Sequence, residues 1–222
     1  MIRAIFGITG SGKTTLSRHL TRESARVMIY DAHAEHDAVL CEPADFLPYL
    51  ELVAERPAFR VAVTPMIGLY GLEFGAAAWA VGKRGPVLAV IEELDTIAPV
   101  ERIPITIRRL LAQGRHVNVD LQGTSQRPAQ VNRLITSQAR ELYAFHTHEP
   151  RDVEYIASYI GAAAAELPTL PEFQFLAWSA GGGIRRGRVD PHGYALEPPV
   201  GIAQASSGSH EGETASARGI PP

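Results

Sequence analysis

Gly7-Ile8-Thr9-Gly10-Ser11-Gly12-Lys13-Thr14 decides the fold. The stretch fits GxxxxGK(S/T), and its surroundings make the match specific: residues 2–7 read as an apolar strand and 12–22 as a helix. Glycines allow backbone N–H groups to turn inward around a β-phosphate, and the helix N-terminus adds a favourable dipole. Lys13 is spaced to reach β- and γ-phosphates, and the Thr14 hydroxyl to ligate Mg²⁺. The expected ATP contacts are Gly7, Thr9, Gly10, Ser11, Gly12, Lys13, Thr14 and Thr15.

Outward from this loop, strand-like and helix-like segments alternate, the pattern of an α/β protein with a mainly parallel sheet. Residues 26–30 (RVMIY), 59–64 (FRVAVT), 87–91 (VLAVI), 116–124 and 141–146 read as strands. Residues 43–55, 71–81, 104–113, 129–137 and 150–159 have helical character. The unbroken apolar run 87–91 suits a central strand covered on both faces. Residues 173–179 and 184–190 flank Gly181-Gly182-Gly183 and predict a C-terminal β-hairpin. From 198 to 222 the chain is rich in Gly, Ser, Ala, Pro and Glu without periodicity, so the expectation is an ordered domain over 1–197 followed by a flexible or partner-binding tail.

Two further stretches carry chemistry. The strand 87–91 ends in Glu92-Glu93, which suits a Walker B motif: Glu92 for the Mg²⁺ shell and Glu93 to orient and polarise the attacking water. Adjacent residues on a strand point to opposite faces, so both acids can serve one site only where the strand ends. Glu92 stands where many such motifs have Asp, and reaches further. Thr124-Ser125-Gln126-Arg127-Pro128 closes another predicted strand, and Gln126 is the candidate for sensing a γ-phosphate or placing water.

These stretches together resemble the FtsK/HerA superfamily of DNA-pumping P-loop ATPases. The resemblance rests on GITGSGKTT, VLAVIEE and GRHVNVDLQGTSQRP in that order, on Ile29-Tyr30-Asp31 as an apolar strand ending in Asp, and on the ELYAFHT strand, and it covers about residues 1–190. It implies a RecA-like, ASCE-type fold in which the sensor strand lies between the P-loop and Walker B strands, bringing Gln126 and Glu93 to one edge of the nucleotide site. It also implies a ring, usually a hexamer, completed by an arginine from the neighbouring subunit. Arg115 is the first candidate for that finger, with Arg108, Arg109 and Arg140 as alternatives. A chain carrying little beyond the motor core looks like the minimal genome-packaging ATPases of tailless icosahedral viruses with an internal membrane. That likeness implies double-stranded DNA, further copies of the chain, and capsid-vertex or viral membrane proteins as partners, and a place in the host cytoplasm or the virion.

Composition is that of an ordinary soluble globular protein. Of 222 residues 45% are hydrophobic and 20% charged, and a formal net charge of -3 argues against a generally basic nucleic-acid coat while allowing a local basic channel. The lone Cys41 excludes a disulfide framework within one chain, and no apolar run approaches the roughly 20 residues of a membrane span. Arg185-Arg186-Gly187-Arg188 is the densest basic cluster and could meet DNA phosphates or solvent. His33 with His36, and His146 with His148, lack a convincing third metal ligand and read as surface or core histidines; Trp79 and Trp178 read as core, and Asp31 as a cap or a site residue. Rival functions are a small-molecule or nucleotide kinase, against which the Glu pair argues, a HerA-like cellular translocase, and an assembly ATPase of the filamentous-phage type.

Overall fold

The computed structural model describes residues 1–64 and 70–198, so most of the expected tail lies outside the described residues. In chain order the strands are β1 (Ile2–Phe6), β2 (Arg26–Tyr30), β3 (Val39–Cys41), β4 (Phe59–Val63), β5 (Val87–Ile91), β6 (Val119–Ser125), β7 (Glu141–Phe145), β8 (Gln174–Ser179), β9 (Gly183–Asp190) and β10 (Gly193–Leu196). The helices are α1 (Lys13–Thr21), α2 (Pro43–Val53), α3 (Tyr70–Gly82), α4 (Leu94–Ile97), α5 (Ile105–Gln113), α6 (Arg133–Ser137) and α7 (Pro150–Ile160). All the strands join one ten-stranded sheet in the order β10-β9-β8-β7-β1-β6-β5-β2-β4-β3. From β7 to β3 the neighbours run parallel; β8, β9 and β10 extend the sheet antiparallel.

Period-two side-chain alternation divides the core between the two faces of the sheet. Met28, Tyr30, Ala89 and Ile91 join the large cluster with Phe46 and Leu50 of α2, Phe74 of α3, and Ile107 and Leu110 of α5. On β1, Ile5 packs instead with Leu16 and Leu20 of α1, together with Phe145, Phe175 and Val189. The run 87–91 is buried throughout, as a central strand requires. Close approaches set the helix positions: a Cβ on Gly75 would stand 2.5 Å from Thr106 Oγ1, and one on Gly123 only 2.4 Å from Leu94 Cδ1. Only glycine at 123 lets α4 lie this near β6, and that contact holds the turn containing Glu93.

The inserted strand is where the resemblance predicted it, with β6 between β1 and β5. Several local expectations need correction. The strand expected over 116–124 is Val119–Ser125; Gly114–Val117 coil into a 3₁₀ turn that ends on Asn118 at φ 58. The alternation of Val117 and Val119 imitates a strand, but the chain must first turn out of α5. The helix expected over 129–137 is divided into a 3₁₀ turn, Pro128–Gln130, and α6. Val131 is extended and bridges Pro99, and the Asn132 side chain then caps a new start by accepting from Leu134 N. The C-terminal hairpin gains a third strand, β10. The edge strand β3 and the 3₁₀ segment Gly161–Thr169 have no sequence signal strong enough to predict them.

Candidate active site

The phosphate loop leaves β1 and is pinned by its neighbours: Gly7 N–H donates to Ser125 O at 3.3 Å and Ile8 N–H to His146 O at 3.0 Å. Gly12, at φ 111, sits where a Cβ would press on Phe145, Phe173 and Val189 at 3.1 Å each, whereas a Cβ on Gly10 would meet nothing within 4 Å. The loop is therefore packed behind and open in front. The first intrahelical bond of α1 is Leu16 N to Gly12 O, which leaves the N–H groups of Lys13, Thr14 and Thr15 without an intrahelical acceptor. No side chain caps this helix, and its first turn holds no acid.

Lys13 is 8% exposed, and its Nζ donates to Ile8 O at 2.8 Å. Burial lowers its proton affinity below the usual lysine value, a shift opposed by Glu93, then Glu92, Glu35 and Asp95. A buried ammonium served by one carbonyl, beside uncapped helix N–H groups, fits an anion such as a nucleotide phosphate. Thr14 and Thr15 are half-buried at the same helix end.

β5 ends at Ile91, and the two acids then diverge. Glu92 continues the ladder, donating N–H to Tyr30 O at 3.0 Å, and is 3% exposed. Glu93 adopts the left-handed conformation, φ 55 and ψ 60, at the start of α4. For a residue with a Cβ this costs of order 1 kcal/mol. The turn takes its carboxylate to the sensor loop: Gln126 Nε2 donates to Glu93 Oε1 at 2.9 Å, and Gln126 Oε1 accepts from Thr9 Oγ1 at 2.5 Å. One amide thus joins the phosphate loop to the acid. Asp95 Oδ1 accepts from Ser125 Oγ at 2.5 Å, and Ser125 Oγ accepts from Arg127 N at 3.0 Å, fixing the same loop from beneath.

The sequence reading missed two supports of this site. Arg127 Nε donates to Asp152 Oδ2 at 2.9 Å while Asp152 Oδ1 takes Ala129 N–H at 2.9 Å, clamping the sensor loop onto α7. His36, set aside as an ordinary histidine, has Nε2 2.7 Å from Glu92 Oε1, and His33 Nε2 stands 3.7 Å from Glu93 Oε1. A histidine pair following an Asp at a strand end was the available signal. Asp31, left open as cap or site residue, is fully buried and takes three N–H groups of the following turn.

The structure does not bring Arg115 to the site of its own chain: it lies in the turn before β6, at the opposite end of the sheet. Arg140 precedes β7 at that same end, Arg109 lies over the Trp79 ring at 3.7 Å from its centroid, and Arg108 is exposed on α5. Trp79 and Trp178 are only partly buried, packed against the large cluster. Of the basic cluster, Arg186 pairs with Glu166 at 2.7 Å.

No protein-family model matches the chain, and no curated protein matches its sequence. Among solved structures, the genome packaging NTPase B204 from Sulfolobus turreted icosahedral virus 2 in complex with AMPPCP is 21% identical, with a TM-score of 0.65 over 90% of this chain and 97% of that one. This chain has the B204 fold. B204 from Sulfolobus turreted icosahedral virus, described as the DNA-packaging ATPase, superposes with TM-score 0.64 at 20% identity, covering 90% of this chain and 98% of the other. The cytoplasmic domain of the Thermomonospora curvata type VII secretion ATPase EccC gives TM-score 0.55 at 16% identity, over 84% of this chain and 25% of that one. This fold sets the phosphate loop, the acidic end of β5 and the loop 124–128 side by side at the C-terminal ends of the adjacent parallel strands β1, β6 and β5. Among the described residues no helix is long and apolar enough to cross a membrane.

Proposed function

We propose that the chain is an ATP-hydrolysing motor that translocates double-stranded DNA, packaging a viral genome into a preformed capsid. The observation that carries this reading is the Thr9–Gln126–Glu93 chain of hydrogen bonds, which ties a phosphate loop to a carboxylate through a sensor amide. B204, a genome packaging NTPase, shares the fold over nearly the whole of both chains, which favours packaging over the other translocases. Lys13 neutralises phosphate oxygens, and the N–H groups at the start of α1 bind them. Glu93 accepts the proton of the attacking water, and Gln126 changes partners when the terminal phosphate departs. Thr14 and Glu92 hold Mg²⁺, which when bound draws charge from the phosphates. Arg115 of a neighbouring copy completes the site in a ring, for which a hexamer is the expected form, and capsid-vertex or viral membrane proteins dock the ring in the infected cell.

The test is steady-state phosphate release with and without long duplex DNA. Wild type should be stimulated by DNA, and Glu93→Gln should lose about 10²- to 10⁴-fold in rate while still binding ATP. Transfer of phosphate to a small acceptor in place of hydrolysis would overturn the motor in favour of a kinase. Mass photometry with a non-hydrolysable ATP analogue tests the ring: a monomer under every condition removes Arg115 from the mechanism.

A further inference from the structure

Both acids at the end of β5 face histidines, but on different terms. The turn after β2 is tied down from within: Asp31 Oδ1 accepts N–H from His33 at 3.3 Å and Glu35 at 3.1 Å, and Oδ2 accepts from His36 at 3.0 Å. Asp31 itself donates its N–H to Val63 O at 2.9 Å, so the anchor belongs to the sheet. One carboxylate gathering successive N–H groups closes residues 31–36 into a compact turn. Ala34, at its centre, takes φ 53.

The turn delivers the His36 ring to Glu92. Nε2 and Oε1 are 2.7 Å apart, with side chains 2% and 3% exposed. An ionised carboxylate has no proton to give, so Nε2 donates and Oε1 accepts. His33, by contrast, is 59% exposed and 3.7 Å from Glu93, beyond hydrogen-bond reach. A glutamate has one more rotatable bond than the aspartate common at this position, and so has more freedom to lose before it can present an oxygen in one place. A donor fastened to one oxygen removes that freedom and leaves the other oxygen free, as ring N–H groups and carboxylates do around metal sites.

We propose that His36 is a positioning residue of the nucleotide site: by holding Glu92 Oε1 it orients the second carboxylate oxygen for the Mg²⁺ shell that Thr14 shares. The inference rests on the reading of the chain as a Mg²⁺-dependent ATPase. It assigns the Asp31 turn a function, namely to set the height and angle of the His36 ring.

The experiment measures binding of a fluorescent, non-hydrolysable ATP analogue while Mg²⁺ is titrated from a chelated zero. His36→Ala should raise the Mg²⁺ concentration for half-maximal binding about 10-fold, with nucleotide affinity in chelator unchanged. His36→Gln, whose amide N–H can reach a carboxylate at similar length, should recover most of the loss. Circular dichroism melting checks that the variants fold; if alanine does not, His36→Asn, too short to reach Glu92, takes its place. Unchanged Mg²⁺ dependence, an equal loss with and without Mg²⁺, or a glutamine variant as impaired as alanine would each overturn the positioning role. A wild-type protein whose nucleotide binding ignores Mg²⁺ defeats the ATPase reading itself, and with it this inference; a Mg²⁺-dependent wild type matched by His36→Ala defeats the inference alone.

Discussion

Two buried cations stand at opposite ends of the parallel sheet, Lys13 just beyond β1 and Arg26 at the start of β2. Their exposures are nearly equal, 8% and 7%, and among the described residues neither forms an ion pair. Burial is the leading cause lowering the proton affinity of each. Their surroundings differ. Arg26 donates to Ala54 O at 2.7 Å, Val81 O at 3.2 Å and Pro86 O at 3.3 Å, and lies over the Phe59 ring. Its two terminal nitrogens bind carbonyls at the ends of α2 and α3 and just before β5, holding these elements together, while its buried Nε has no partner among the described residues. Lys13 has one carbonyl and the open N-terminus of α1. The comparison teaches that burial alone does not mark a site. The difference is one of degree: carbonyls of its own chain take both terminal nitrogens of Arg26, whereas the Lys13 ammonium gives only one of its three donors to a carbonyl and faces an uncapped helix end.

The strongest way to break this contrast is Lys13→Met. Nucleotide affinity should fall about 100-fold, the scale of losing a charge-assisted hydrogen bond in a dry site, read by titrating a fluorescent ATP analogue. Stability should move the other way. A lysine whose folded-state proton affinity is lowered imposes a penalty at neutral pH. That penalty is relieved as pH rises from the lowered value towards the ordinary ~10.4. The methionine variant should therefore melt at or above wild type at pH 7, and its advantage should shrink as pH climbs through that window. A variant that melts lower at pH 7 would place Lys13 with Arg26 as a structural cation.

The converse variant, Arg26→Met, should cost about 2–3 kcal/mol in urea unfolding, because buried carbonyls lose their donor, and leave nucleotide affinity unchanged. A loss of affinity with stability intact would erase the distinction between the two ends. A smaller effect sharpens the picture at the phosphate end: Gln126→Ala should slow hydrolysis about 10-fold, near the worth of one hydrogen bond, with the ATP analogue still bound. No change in turnover would show that the Thr9–Gln126–Glu93 chain is only a resting arrangement.

Much of the fold was legible because its signals are local. The phosphate loop carries its strand, glycines and helix within one short stretch, and RVMIY and VLAVI are bounded as the structure bounds them. The misses arise where tertiary demands override local pattern: Val131 is drawn extended by Pro99, Asn132 restarts a helix, and β3 is too short to announce itself beside β4. Around the candidate site, Lys13, Glu92, Glu93 and Gln126 were each singled out by motif chemistry, whereas the contacts of His36 with Glu92 and of Arg127 with Asp152 were not foreseen, since neither pair is close in sequence.

By itself the sequence determined that the chain makes a phosphate cradle at the end of a strand, and that a pair of acids and a polar loop end two others. The order of those strands brings Thr9 to Gln126 across 117 positions, Gln126 to Glu93 across 33, and His36 to Glu92 across 56. It was the tertiary structure that decided which acid stays buried against a histidine and which turns through a left-handed backbone to meet the amide. The reason is physical: strand and cradle follow from the conformational preferences of neighbouring residues, but a hydrogen bond between distant side chains exists only once the sheet has set their separation.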